Sequence, residues 1–374
     1  MSVRIPLEFN TGNTSTLRSL DMEMMLVEKH MRLCLSVDSG FETAVTVAPS
    51  EPILAEASSI LMQSPTFNLP RCLLAELEHP GLDKGNRGEL IVMILCLEAR
   101  DAAATKLTSR VTPVNDFMRE LIALAAHDEV FLSKPTMART SHEAVKTLKD
   151  TFRNSHMYFN HFVKFRYRKV IERDFLWRLI ARGAAGLCAD FQYGIDIVIP
   201  FLYRDPVLRQ ENVSALLIQS KNDRTFKAKP QKHIFDMMNP HNVQFFQKKE
   251  THPVPIIRMV FALASPTPSV TVLKPAKRTQ PPRGRSFAAN FKADKYTTFD
   301  IWCGKASHET FRPIKGSADE IVFHKLLLRS QVFPNVYDTK KPKVLENVTR
   351  NMNPATGDDP AHWEQFSREA TDSE

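Results

Sequence analysis

Residues 194–223 read GIDIVIPFLYRDPVLRQENVSALLIQSKND. Two apolar runs, IDIVIP and ALLIQSK, have the length and β-branched content of strands, and the polar DPVLRQEN joins them. Each run carries polar side chains that a core does not need: Asp196 in the first, Gln219 and Lys221 in the second. Strand side chains alternate between faces, so Gln219 and Lys221 share one face while Ser220 points to the other. If the two runs pair as neighbouring antiparallel strands, Asp196 lies beside Gln219 and Lys221. An acid, an amide oxygen and the Ser220 backbone carbonyl then converge as hard oxygen donors suited to Mg²⁺ or Mn²⁺. Lys221 stands ready to position a water or to stabilise charge growing on a phosphate.

Working outward, VIERDFLWRLIARG before this stretch predicts a helix with Phe175, Leu176, Leu179 and Ile180 on one face. GAAGLCAD is a short candidate strand. QKHIFDMMN predicts a helix, and PIIRMVFALAS a buried strand. The local order is helix, three strands, helix, strand. Further upstream, HMRLCLSV and FETAVTVA flank DSG as a hairpin. A helix over ILAEASSILM is predicted with Ser50 as N-cap and Pro52 in its first turn. A long apolar helix is predicted from about 88 to 105, and another over VNDFMRELIALAAHD with Thr112 or Asn115 as cap. SHEAVKTLKDTFRNSHMYFNHFVKF reads as a helix rich in aromatics.

These boundaries divide the chain into an N-terminal hairpin and helix (1–65) and a core (66–265) with a helical insertion near 106–156. A basic, Pro-rich connector with a small C-terminal segment (266–337) and a polar, disordered tail (338–374) follow.

Composition limits the partners. The chain has 374 residues, 43% of them hydrophobic, and a net charge of +8. Residues 221–295 hold 15 Lys/Arg against 4 Asp/Glu. A basic cluster of this kind attracts polyanions, nucleic acid foremost. Arg224, Lys227, Lys229 and Lys232, just beyond Lys221, are the candidate phosphate contacts. No run reaches the roughly 18 apolar residues of a membrane span, and MSVRIPLEFNTGNTS lacks the apolar region expected of a signal peptide. An intracellular protein, nuclear or cytoplasmic, is expected, with no membrane association. The five cysteines are scattered without a C-x-x-C pair, which argues against a disulfide framework or a zinc site. His156 and His161 are five apart, a poor spacing for a helical metal pair. No G-x-S-x-G occurs, and no Ser or Cys is tied to a particular His.

An Asp closing one strand and a (Glu/Asp/Gln)-x-Lys on the next, in α-β-β-β-α-β order, resembles the PD-(D/E)xK, or restriction-endonuclease-like, superfamily. The resemblance implies an α/β fold with a mixed sheet and metal-dependent cleavage of DNA or RNA. It also implies a further Glu from an early helix. Glu89, in RGEL at the start of the long apolar helix, takes that role here, with Glu172 as competitor. Gln219 departs from the commoner acid and implies weaker metal binding. SEPILAEASSIL, RGELIVMILCLEARDAA, YFNHFVKF, ARGAAGLCADFQYGIDIVIPFLY, VSALLIQSKND and NPHNVQFF are further similar to a large fungal group carrying such a core without an established substrate. A catalytically inactive binding protein of the same fold, effector-like or derived from a mobile element, is the alternative.

Overall fold

The computed structural model describes residues 4–6, 33–37, 39–40, 44–47, 50–64, 67–76, 84–107, 110–168, 171–190, 192–247, 253–275 and 296–328, together with Val27. The tail from 338 and most of the basic connector lie outside these residues.

The chain is a mixed α/β fold. β1 (Leu33–Val37) and β2 (Ala44–Val47) pair antiparallel as the predicted hairpin. β3 (Thr112–Pro113), β4 (His156–Met157), β5 (His161–Lys164), β6 (Ala184–Leu187), β7 (Ile197–Leu202), β8 (Val213–Lys221), β9 (Ile256–Ala262), β10 (Ser269–Val272) and β11 (Thr298–Gly304) make one mixed sheet. Its order runs β10-β11-β9-β8-β7-β4-β3, and β6 also pairs with β7 and carries β5. The helices that matter here are α1 (Pro52–Met62), α2 (Leu69–Glu76), α3 (Lys84–Ala104), α4 (Val114–Leu121), α5 (Arg173–Ala181), α6 (Lys232–Met237) and α7 (Ser317–Leu328).

The segment from α5 through β6, β7, β8, α6 and β9 has the expected order and types. β6–β7 and β7–β8 are antiparallel hairpins. β8 and β9 are parallel, with α6 in the crossover between them.

Period-two alternation sorts the core. Ile197, Ile199, Phe201, Leu216 and Ile218 face α3 and pack with Leu90, Ile94 and Leu97. Val198, Ala215 and Leu217 face the other side, against Leu176, Leu179 and Ile180 of α5 and Ile234 and Phe235 of α6. Both faces are covered by helices, which explains why these strands are apolar throughout.

Four local expectations are corrected. α1 is capped by Glu51 without a side-chain bond, because the Ser50 hydroxyl is engaged elsewhere. α3 begins at Lys84, one turn early, so Glu89 lies in its second turn. α4 starts after Pro113: Asn115 donates instead to the Lys149 carbonyl, and the Thr112 hydroxyl has no partner. The stretch read as an aromatic helix over 141–165 folds as two short helical turns, Ser141–Ala144 and Leu148–Thr151, followed by β4 and β5. Thr140 and Thr147 cap those turns, and β6 offers β5 a parallel partner; pairing with the sheet overrides the helical periodicity. In addition, β10 and β11 extend the sheet beyond β9, so SVTV and TFDIWCG are part of the core.

Candidate functional site

The register of β7 on β8 pairs Ile197 with Ile218, which sets Asp196 at the mouth of β7, level with the end of β8. The Asp196 amide donates to the Ile218 carbonyl at 2.8 Å, and its own carbonyl accepts from Cys188 at 2.7 Å. Just before it, Gly194 has φ +82°, and a Cβ there would lie 2.3 Å from the Met237 carbonyl oxygen. Only glycine allows β7 to begin this close to α6.

The Asp196 carboxylate closes onto β8. Its Oδ2 accepts from Gln219 Nε2 at 2.7 Å and from the Ser220 amide at 2.6 Å. Burial pushes its pKa up to about 6, against the Ser220 amide, the nearby Lys221 charge and the Gln219 amide, which all favour the ionised form. Gln219 is buried; Lys221 is half-buried, with its Nζ 5.8 Å from the centre of the Phe226 ring. The sequence reading missed Phe226. Its place in the loop after β8 was legible, but not that the loop folds back over Lys221.

Gln219 and Lys221 share the α5–α6 face, and Ser220 the α3 face, as alternation requires. Gln219 turns its nitrogen, not its oxygen, to Asp196. The expectation of an amide oxygen beside the acid therefore does not describe this arrangement.

Glu89 reaches the same end of the sheet from the opposite face. Gly88 packs on Ser220 and Asn222 of the β8 end. Burial raises the pKa of the Cys188 thiol, and the charges of Asp196 and Glu89 both add to the rise. Glu172 is elsewhere. Its neighbour Arg173 donates to the Val213 carbonyl at the start of β8, roughly 20 Å from Gln219 at about 3.3 Å per strand residue.

Among the described residues, no three His, Cys, Asp or Glu side chains gather as metal ligands. A protein-only cage of zinc type is not present there. Asp196 and Glu89 are the two carboxylates that the sequence reading assigned to Mg²⁺, and they approach this end of the sheet from opposite faces. Past the site, Arg224, Lys227, Lys229 and Lys232 are exposed on the segment that leads from β8 into α6. No helix among the described residues is long and apolar enough to cross a membrane.

A family described as Domain of unknown function (DUF8736) matches residues 14–247. This span includes α3, β7, β8 and α6, and so the whole candidate site. Neither the curated proteins nor the solved structures contain a match.

Proposed function

We propose that this chain, which belongs to the family described as Domain of unknown function (DUF8736), is a metal-dependent phosphodiesterase acting on nucleic acid, with a restriction-endonuclease-like core. The observation that carries this reading is the Asp196–Gln219–Ser220 hydrogen-bond cluster, with Lys221 beside it, at the shared end of β7 and β8. An acid pushed to about pKa 6 beside a half-buried lysine at one strand end is the kind of perturbed pair that functional sites carry.

Asp196 and Glu89 are the residues that would hold Mg²⁺, which supplies charge neutralisation on the scissile phosphate. The Ser220 amide and Gln219 fix the Asp196 carboxylate in place. Lys221 orients the attacking water and offsets negative charge on the phosphoryl oxygens. Arg224, Lys227, Lys229 and Lys232 hold the flanking backbone phosphates without reading sequence.

A binding-only version of the same fold is favoured by one observation, the Gln219 nitrogen turned onto Asp196, which leaves the amide oxygen out of the site. Incubation of labelled single- and double-stranded DNA and RNA with Mg²⁺, Mn²⁺ or EDTA separates the two. Catalysis predicts cutting with metal, lost in Asp196→Ala and Lys221→Ala while binding persists. Absence of cutting by folded wild type, with equal binding by both variants, would leave the binding-only reading.

A further inference from the structure

No local spacing in the sequence connects a serine to a histidine, but the tertiary structure does. Ser50, two residues before α1, places its Oγ 2.9 Å from Nε2 of His161 on β5. The other ring nitrogen, Nδ1, is 2.7 Å from Oδ1 of Asn160.

The hydrogens follow by elimination. Asn160 Nδ2 donates to the Pro52 carbonyl and to Glu56 Oε2, both at 2.9 Å, so its Oδ1 must accept. His161 Nδ1 therefore carries the proton, and Nε2 of the neutral ring is free to accept. Arg182 Nε donates to Ser50 Oγ at 3.0 Å and Arg182 Nη2 to the Ser50 carbonyl at 2.5 Å. With its oxygen already accepting, the hydroxyl sends its own proton to Nε2.

Burial first, and then the Arg182 and Arg4 charges, push the His161 pKa down to about 4; the Gly183 backbone opposes them. The ring is thus uncharged at neutral pH and a weaker base than a free imidazole, so proton transfer to it rests on the hydrogen-bond geometry. His161 and Asn160 are fully buried, while Ser50 reaches the surface. Glu56, which fixes Asn160, is itself held by Arg100 at 2.8 Å. A hydroxyl on a base that is oriented by a third group is the arrangement of an activated nucleophile.

We propose that Ser50, His161 and Asn160 form a second site, independent of Asp196, that cleaves carboxylic esters through an acyl-enzyme. Ser50 Oγ bonds to the acyl carbon as its proton passes to His161 Nε2. The Arg182 guanidinium, hydrogen-bonded to Ser50 Oγ, would supply positive charge near the developing oxyanion. Collapse breaks the bond to the leaving alkoxide, which takes the proton from His161. Water then repeats the sequence and releases the acid and Ser50. Ile53 and Leu54, on the first turn of α1 and exposed at 84% and 38%, offer apolar contact to an uncharged acyl group. Ser50 and His161 are the catalytic residues, and Asn160 positions the ring.

A fluorophosphonate probe tests this directly, since it forms an Oγ–P bond and releases fluoride with the serine proton. Mass spectrometry of labelled peptides should find the adduct on Ser50 and none in Ser50→Ala. His161→Gln should slow labelling by about a hundredfold or more, and Asn160→Asp should retain more of the rate than Asn160→Leu. Folded wild type that stays unlabelled at Ser50, or labels as fast in His161→Gln, would overturn the proposal.

Because His161 is buried and its variants can fail to fold, Ser50→Cys supplies a second reading at a half-buried position. Cys34 and Cys72 are exposed free thiols and serve as references within the same chain. The thiol introduced by Ser50→Cys should react with iodoacetamide at pH 6.5 about tenfold faster than either, because the hydrogen bond to His161 and the Arg182 charge favour the thiolate. Equal rates would show that His161 activates nothing.

Discussion

The Cα of Gly88 lies so close to Ser220 that a Cβ built on it would sit 2.6 Å from the serine Oγ and 3.2 Å from the Asn222 Cβ. This contact carries the first turns of α3, with Glu89, onto the end of β8. Gly88→Ala is expected to cost about 1 kcal/mol despite the better helix propensity of alanine, worth about as much in the other direction. The Ser220 hydroxyl is buried without a hydrogen-bond partner, so Ser220→Ala should be neutral or stabilising by about 1 kcal/mol and should cancel the cost of Gly88→Ala. Urea unfolding of the two single variants and the double variant measures the coupling. A cost that survives Ser220→Ala would identify Asn222 as the obstacle.

Arg258 on β9 and Asp300 on β11 are paired across the parallel register and both are buried. The guanidinium donates to both carboxylate oxygens, at 2.7 and 2.6 Å, and to the Phe235 carbonyl of α6 at 2.7 Å. Asp300→Ala leaves a buried cation uncompensated and should destabilise by about 3–5 kcal/mol. Arg258→Met with Asp300→Leu should recover most of that loss. Thermal melting of the single and paired variants decides it; a small effect of Asp300→Ala would mean that water reaches the arginine.

Glu98 lines a cavity of about 420 Å³ with Asp101, Lys315 and Asp319, and burial raises its pKa to about 8, the charges of Asp319 and Asp101 adding to the rise against Lys315 and Arg4. The folded state therefore keeps a proton that the unfolded chain releases near pH 4.5. Its contribution to stability is complete below pH 4.5 and is lost progressively as pH rises through 8. Glu98→Gln removes this dependence, so the variant should gain on wild type across that window, by on the order of 3 kcal/mol at pH 9. Unfolding free energies at pH 5, 7 and 9 give the difference. A constant offset would place the titration elsewhere.

The basic segment after β8 makes a separate prediction about salt. If Arg224, Lys227, Lys229 and Lys232 touch phosphates, replacing any one by Gln should reduce the slope of log affinity against log salt by about 0.7–0.9. Binding to single- or double-stranded oligonucleotides across a salt series reads the slope. Unchanged slopes in all four variants would remove this face from the interface.

Much of the site's surroundings was legible before folding was considered. The runs around Asp196 and Gln219 are apolar enough to be recognised as buried strands, and alternation alone put Gln219 and Lys221 on one face. Short-range patterns of this kind are properties of a few consecutive residues, and the β7–β8 hairpin keeps them local. The aromatic stretch around Phe159 and Phe162 was not legible, because the partner that makes it a strand, β6, lies some twenty residues on.

What the sequence by itself determined is therefore the run of elements from α5 to β9 and the closeness of Asp196 to Gln219 and Lys221. The tertiary structure decided the rest. It carried Gly88, and with it Glu89, onto the end of β8, turned the Gln219 nitrogen to Asp196, laid Phe226 against Lys221, and brought Ser50 to a histidine 111 residues away. The physical reason is that local pattern specifies which face a side chain takes, whereas its partners depend on packing between distant elements. Those contacts are set by steric fit, as between Gly88 and Ser220, and by the need of each buried donor or acceptor to find a partner.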